Sequence, residues 1–153
     1  MTAESGILIR RAEPEDQEAI QGMLGRLAAF EGAATAPRLG GQAMIADVFG
    51  PSPLLHIFVA FTADMQYAGF ISAFENYSSW QGKPGIHIGD LWVEAAYRGH
   101  GVGKGLMAHV LAVFPERRVD VYVVRTNEAR KFYERLGFQE QQNWCLYRLE
   151  YKP

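Results

Sequence analysis

Cysteine is nearly absent. Cys145 is the single one in 153 residues, so no disulfide framework can form within the chain. Four histidines and that cysteine show no metal-ligand spacing, and no metal site is expected. Long apolar runs are missing too: the longest, 54–61, is interrupted by His56 and is far too short to span a membrane. The amino end, from Met1 through Ile7-Leu8-Ile9 to Arg10-Arg11, has no long apolar core. Its basic pair falls on the wrong side for a signal peptide. There is no internal repeat and no low-complexity run. A soluble, cytoplasmic chain in a reducing compartment is expected, with no membrane partner. Excess positive charge is also lacking, the net being −2, and nucleic acid is not an expected partner because phosphate neutralisation drives most of that affinity.

What is present is globular composition, with 48% apolar and 21% charged residues. A chain this long buries roughly 68–70% of its unfolded surface, enough for a core without a staple. One domain over 1–153 is expected. Charge is uneven: residues 1–97 carry 5 Lys/Arg against 11 Asp/Glu, residues 98–135 carry 8 against 4, and the rest balance at 2 and 2. A basic block in an acidic chain suits a polyanionic small ligand, although charge alone is explained as well by a solvated face.

A short strand is expected at 7–11. Glu13-Pro14-Glu15-Asp16 starts a helix, because proline suits a first turn and acids suit the positive end of the helix dipole. Ile20, Met23, Leu24 and Leu27 recur at helical spacing, and Gly32 follows. A loop at 32–41 leads to a shorter helix at 42–49. Runs at 56–62, 67–76 and 86–94, rich in aromatic and β-branched residues, predict antiparallel strands, with a longer turn at 78–85. A glycine-rich turn at 98–103 then opens a helix carrying Val102, Leu106, Val110 and Val113. Val119, Val121 and Val123 alternate as a strand. Ala129, Phe132, Tyr133 and Leu136 share a helix face that ends at Gly137. A last strand is expected at 143–151. The order is an α+β mixture, antiparallel first, with one βαβ unit later.

The stretch that carries chemistry is Val93-Glu94-Ala95-Ala96-Tyr97-Arg98-Gly99-His100-Gly101-Val102-Gly103-Lys104. A strand enters a glycine-rich turn and the turn becomes a helix. Free N–H groups at the positive end of a helix form an anion site, and glycine lets a phosphate approach the backbone. The spacing is neither a dinucleotide fingerprint nor a nucleotide-hydrolase loop. A turn with no ligand explains the glycines alone equally well.

In context, Arg98-x-x-Gly101-x-Gly103 after Asp90-Leu91-Trp92-Val93 resembles the pyrophosphate-arm motif of the GNAT superfamily of acetyl-CoA-dependent N-acetyltransferases. Thr126-Asn127-Glu128-Ala129-Arg130-Lys131-Phe132-Tyr133-Glu134-Arg135-Leu136-Gly137-Phe138 resembles its second signature. Within the superfamily the chain looks most like the spermidine/spermine, or diamine, branch. The residues that carry this are Leu27-Ala28-Ala29-Phe30-Glu31, Asp47-Val48-Phe49-Gly50 and Tyr77-Ser78-Ser79-Trp80-Gln81-Gly82-Lys83. The resemblance implies a GNAT-like acyl-CoA N-acyltransferase fold: a mixed, mostly antiparallel sheet flanked by helices, with a splayed strand pair. It also implies acetyl transfer to a primary amine of a polyamine, diamine or amino-acid-like molecule, and a homodimer. The alternatives are a protein N-acetyltransferase and a non-catalytic acyl-CoA-binding module.

The same resemblance places residues in roles. Main-chain groups of Leu91, Trp92 and Val93 would hold the pantetheine arm and acetyl carbonyl. N–H groups of Gly99, His100, Gly101, Val102, Gly103 and Lys104 would hold the pyrophosphate, with charge added by Arg98, Lys104 and Arg130. Asn127 stands one residue past the place where the family often has asparagine; Thr126 occupies that place and reads equally well as a helix N-cap. Tyr133 sits where the family has the acid that protonates the departing thiolate, and core packing is its other reading. The branch's basic glutamate is replaced by Gly89. His87, on the same face by simple alternation, is the substitute base, with a paired or solvent-facing histidine as the alternative. Glu31, Glu75, Tyr77 and Trp80 are expected on the acceptor side. Cys145, in a terminal strand with no recognisable base, is expected to be a buried structural thiol.

Overall fold

The alternating apolar runs build one sheet. In the computed structural model, which describes residues 6–151, five strands lie in the order of the chain. They are β1 (Leu8–Arg11), β2 (His56–Phe61), β3 (Tyr67–Ser78), β4 (Lys83–Val93) and β5 (Val119–Val121). Successive pairs are antiparallel up to β4, and β5 runs parallel to β4. A parallel neighbour requires a crossover, which α3 (Val102–Val113) supplies. Residues 1–5, the beginning of the amino-end reading, lie outside the described part.

Pleating sorts the side chains between two faces. Ile57, Val59, Phe61, Phe70 and Trp92 pack with Ile20, Met23, Leu24 and Leu27 of α1 (Gln17–Phe30) and Met44 of α2 (Gly41–Asp47). The alternate residues face α3: the Phe58 ring lies 4.9 Å from that of His109, and Ile9 Cδ1 is 3.2 Å from where a Cβ on Gly105 would stand. Helix α1 stops at Gly32, whose φ of +66° lets the Ala33 N–H reach back to the Ala28 carbonyl. The α+β architecture with helices on both sheet faces agrees with the expected fold class. The turn after β3 is tighter than the expected 78–85, because β3 runs to Ser78 and β4 begins at Lys83.

Asp16 ties the entry of α1 to the sheet. It is 1% exposed, receives Arg10 at 2.7 and 3.0 Å, and accepts the Tyr67 hydroxyl at 2.6 Å. Burial alone would raise its pKa; the bonds from Arg10, the Glu13 N–H and Tyr67 outweigh that and hold it below the usual value. Desolvation and Asp16 push the Tyr67 hydroxyl up to about 12. A depressed carboxylate contributes stability above its unfolded pKa and loses it as pH falls through the folded one. A raised phenol keeps its contribution below pH 10 and loses it toward pH 12. Asp16→Asn is expected to cost about 2 kcal/mol in urea unfolding, below the ~3–5 kcal/mol of a fully buried pair because Arg10 remains partly in water. The variant's stability should also fall less steeply on acidification.

The chain gathers into two compact units, Met1–Tyr122 and Val123–Pro153. The sheet belongs to the first. In the second, α4 (Ala129–Arg135) ends at Gly137, with φ +93°, and the Phe138 N–H reaches the Tyr133 carbonyl at 3.0 Å. The last strand expected at 143–151 does not form: no described residue after Arg135 is in a helix or strand. A strand needs a neighbour for its N–H and C=O groups, and this stretch pairs with none among the described residues. Cys145, expected to be buried there, is consequently exposed. No helix of the described residues is long and apolar enough to cross a membrane.

Candidate active site

Strand β4 changes register in its middle. Ile88 faces Ala73 and Asp90 faces Ser72, so Gly89 is an extra residue, a bulge of the kind that glycine inside a strand marks. On β3, Phe70, Ser72 and Phe74 share one face, and opposite them stand Trp92, Asp90 and His87. His87 therefore shares its face with Asp90 and Trp92. Simple alternation, which groups it with Gly89 and Leu91, fails because the bulge inserts a step.

The bulge also turns the main chain. The Ile86 N–H donates to the Arg118 carbonyl at 2.8 Å, toward β5, whereas the Glu94 N–H donates to Ala68 at 2.9 Å, toward β3. Counting back by two from Glu94, Trp92 turns its backbone to β3, and Leu91 and Val93 turn theirs away. Pairing with β5 covers only Ile86 to Ile88. The backbone of Leu91 and Val93 thus faces an edge that no described strand covers. Arg98 Nε takes one group there, donating to the Val93 carbonyl at 3.0 Å.

Beyond Val93 the chain passes through a short 3-10 turn, Ala95–Tyr97, and enters α3 by way of Gly99 (φ +78°) and Gly101 (φ +81°). Glycine adopts this left-handed region without the strain a Cβ brings. Gly101 is the N-cap of α3, and no side chain caps the helix. The N–H groups of Val102, Gly103 and Lys104 have no intrahelical acceptor, since they lie in the first turn. Donors concentrated at the positive end of α3 fit a diphosphate. Lys104 is exposed beside them. His100 places Nδ1 2.9 Å from the Arg98 carbonyl. The Arg98 guanidinium lies 4.6 Å from the Trp92 ring centre and 5.0 Å from that of Phe30, so its charge braces the strand end against α1.

The face carrying Asp90 is acidic. The buried Ser72 hydroxyl donates to Asp90 Oδ2 at 2.7 Å. A Cβ on Gly89 would stand 2.8 Å from Ser72 Oγ, so a glutamate there would turn Ser72 off Asp90. The Glu31 carboxyl is held above its usual pKa by desolvation and then by Asp90, although the residue as a whole is exposed. Arg26 forks onto Glu94 and ties α1 to the end of β4. The Trp92 indole N–H is buried without an acceptor, a donor suited to a bound carbonyl. His87 is 7% exposed, with the Phe74 and Tyr122 rings at 4.8 and 4.5 Å. Burial lowers its pKa, and Asp120 offsets part of that effect.

A model of the acetyltransferase (GNAT) family matches residues 27–138, most of the chain. The chain belongs to the GNAT family. It is an N-acetyltransferase. Members of this family use acetyl-CoA as cosubstrate. It is 27% identical to a thialysine N-epsilon-acetyltransferase of Bos taurus, over 94% of this chain and 92% of that one. It is 37% identical to an L-ornithine N5-acetyltransferase of Arabidopsis thaliana over 56% of this chain and 40% of the other. A solved structure described as a probable acetyltransferase superposes with a TM-score of 0.79, covering 95% of this chain and 99% of the other at 22% identity, and shares the fold.

Of the other expected site residues of this GNAT chain, Glu75, Tyr77 and Trp80 lie in the first unit and Asn127, Arg130 and Tyr133 in the second. Glu75 lies on the α3 face, 3.4 Å from Arg117, which follows α3, and 4.0 Å from His56. Tyr77 and Trp80 stand exposed at the β3–β4 hairpin, Trp80 at 96%. In the second unit, Asn127 Oδ1 accepts the Ala129 N–H at 2.9 Å in a local turn just before α4, whose N-cap is Glu128 and not Thr126. Arg130 donates to the Arg125 carbonyl at 3.1 Å and to Glu140 at 3.0 Å. Tyr133 is buried, with the Phe132 and Phe138 rings at 5.2 and 5.5 Å. No group of His, Cys, Asp and Glu among the described residues could hold a metal ion. Sequence reasoning missed Phe30 and Ser72 as parts of this region; the lone glycine at 89 was the available signal for the bulge that aligns Asp90 with Ser72.

Proposed function

We propose that this chain binds acetyl-CoA along the open edge of β4 and the glycine turn, and acetylates a small cationic amine approaching from the Glu31–Asp90 side. The observation that carries the reading is the bulge at Gly89. It turns the Leu91 and Val93 backbone toward an uncovered edge directly before a turn built to hold an anion. Acetyl-CoA supplies the acetyl group as a thioester. Donors at Leu91 and Val93 would polarise its carbonyl, and those at Gly99 to Lys104 would hold its diphosphate. The carboxylates of Glu31 and Asp90 would receive the ammonium of a diamine or an amino acid with a side-chain amine, the latter being the kind of acceptor that the relatives' names carry.

An alkylammonium, with a pKa of about 10.4, has no free lone pair and must lose a proton before it attacks. His87 is proposed to take that proton, directly or through water, since its lowered pKa keeps the imidazole neutral at pH 7. Tyr133 is proposed to return a proton to the departing sulfur. The 153 residues would act as one acetyltransferase domain, as a cytoplasmic homodimer. Thiol release from acetyl-CoA should rise with lysine, ornithine or diaminopropane. Saturable acetyl-CoA binding with no release from any amine would refute the reading in favour of a binding module.

For His87 the acid limb of kcat/KM should fall below the ordinary histidine pKa, because burial disfavours the imidazolium. His87→Ala should remove that limb and lower kcat/KM by about 10²-fold, the low end for general base catalysis. An unaltered pH profile eliminates the residue from the reaction.

A further inference from the structure

On the sheet face beneath α1, two neighbouring rows of side chains cross β2, β3 and β4. One reads Val59–Phe70–Trp92, aliphatic and aromatic throughout; the next reads Ile57–Ser72–Asp90. Ser72 is 0% exposed. A hydroxyl buried so deeply costs free energy unless it is bonded, and an apolar residue would fill the place without that demand. The hydroxyl is given to a side chain on the next strand, Asp90 Oδ2, at 2.7 Å.

Asp90 itself is half-buried, and no other described residue gives it a hydrogen bond or an ion pair. One oxygen is thus held from inside the sheet and the other is left for a donor from outside. Gly89 makes room for this bond. A Cβ there would stand 2.8 Å from Ser72 Oγ, with the next atom at 3.9 Å. Gly89 is not among the glycines of positive φ, so the hydroxyl, and not the backbone, is what asks for glycine.

We propose that Ser72, in the room that Gly89 leaves it, is a positioning residue for the acceptor: its bond fixes Asp90 so that Oδ1 meets the incoming ammonium. The inference rests on the reading that Asp90 receives that ammonium. Ser72 touches no substrate and acts through the carboxylate. A carboxylate held in its binding orientation loses less freedom when the amine arrives.

The test follows thiol release with lysine, ornithine and diaminopropane, taking kinetics on each amine that supports it. Ser72→Ala should lower kcat/KM for the amine by about 10-fold, the low end for a hydrogen bond to a charged group, with kcat at saturating amine within about threefold. Affinity for acetyl-CoA by calorimetry should stay unchanged. Asp90→Ala should lower kcat/KM by about 10²-fold, and Ser72→Ala added to it should cost nothing further, there being no carboxylate left to hold. Gly89→Ala should match the loss of Ser72→Ala in the wild type and be silent in the Ser72→Ala chain, where Oγ is gone. If circular dichroism shows Ser72→Ala unfolded, Ser72→Cys, a weak donor of similar size, carries the same expectation. Asp90→Ala without loss, or no release from any amine, removes the proposed reading and this inference with it. A loss at Asp90 with Ser72→Ala at the wild-type value overturns this inference alone. So do losses at Ser72 and Asp90 that multiply in the double variant, or a Gly89→Ala equally costly in both chains.

Discussion

Tyr133→Phe is expected to lower kcat by about 10²–10³-fold, within the range of a lost general acid, while leaving the affinity for acetyl-CoA unchanged. The reasoning is chemical. A thiolate expelled at neutral pH leaves more readily when a proton is delivered to sulfur, and a phenol of pKa about 10 can deliver one. Phenylalanine keeps the ring contacts with Phe132 and Phe138, so the packing of α4 should survive. A fall in kcat with an unchanged dissociation constant for acetyl-CoA separates the loss of a proton donor from the loss of a fold. A kcat within threefold of wild type would remove Tyr133 from the chemistry. Comparing leaving groups sharpens the test: an acetyl donor with a more acidic thiol should be much less sensitive to the substitution.

The second large effect is expected at the turn. Gly101 holds φ at +81°, and nothing lies within 4 Å of a Cβ built upon it. Gly101→Val therefore meets no clash, only backbone strain of about 1–3 kcal/mol for a residue forced into this region. If the turn relaxes to avoid that strain, the donors of Val102, Gly103 and Lys104 lose their common aim. Acetyl-CoA binding by calorimetry should then weaken by about 5–150-fold, the equivalent of that energy, with kcat at saturation changed much less. Gly105→Ala, inside α3, is a poor control, since its Cβ would press on Ile9 Cδ1 at 3.2 Å. Ala108→Ser, on the exposed side of the same helix, should leave binding unchanged.

The parts legible in the sequence are those in which one local rule decides. Ile20, Met23, Leu24 and Leu27 mark a helix by their spacing alone, and their burial follows from having a sheet to cover. Gly101 before a helical pattern announces a helix start, and Gly32 and Gly137 announce two ends. Arg98 was legible as a cation near the turn. Its stacking on Trp92 and Phe30 was not, because that depends on where α1 ends in space. His87 was legible as a base candidate, but its companions were not, since one added residue at Gly89 reverses which side chains share a face. The stretch 143–151 has a strand's composition, and composition does not reveal whether a neighbour is there to complete it. Cys145 is exposed for the same reason.

The interruption at Gly89 has an evolutionary corollary. Removing Gly89 would leave Ile88 opposite Ala73 and Asp90 opposite Ser72, so Leu91 and Val93 would keep their present aim, whereas any side chain at 89 would crowd the Ser72 hydroxyl. Homologous chains that keep the serine–aspartate bond should therefore carry glycine here or lack the residue altogether.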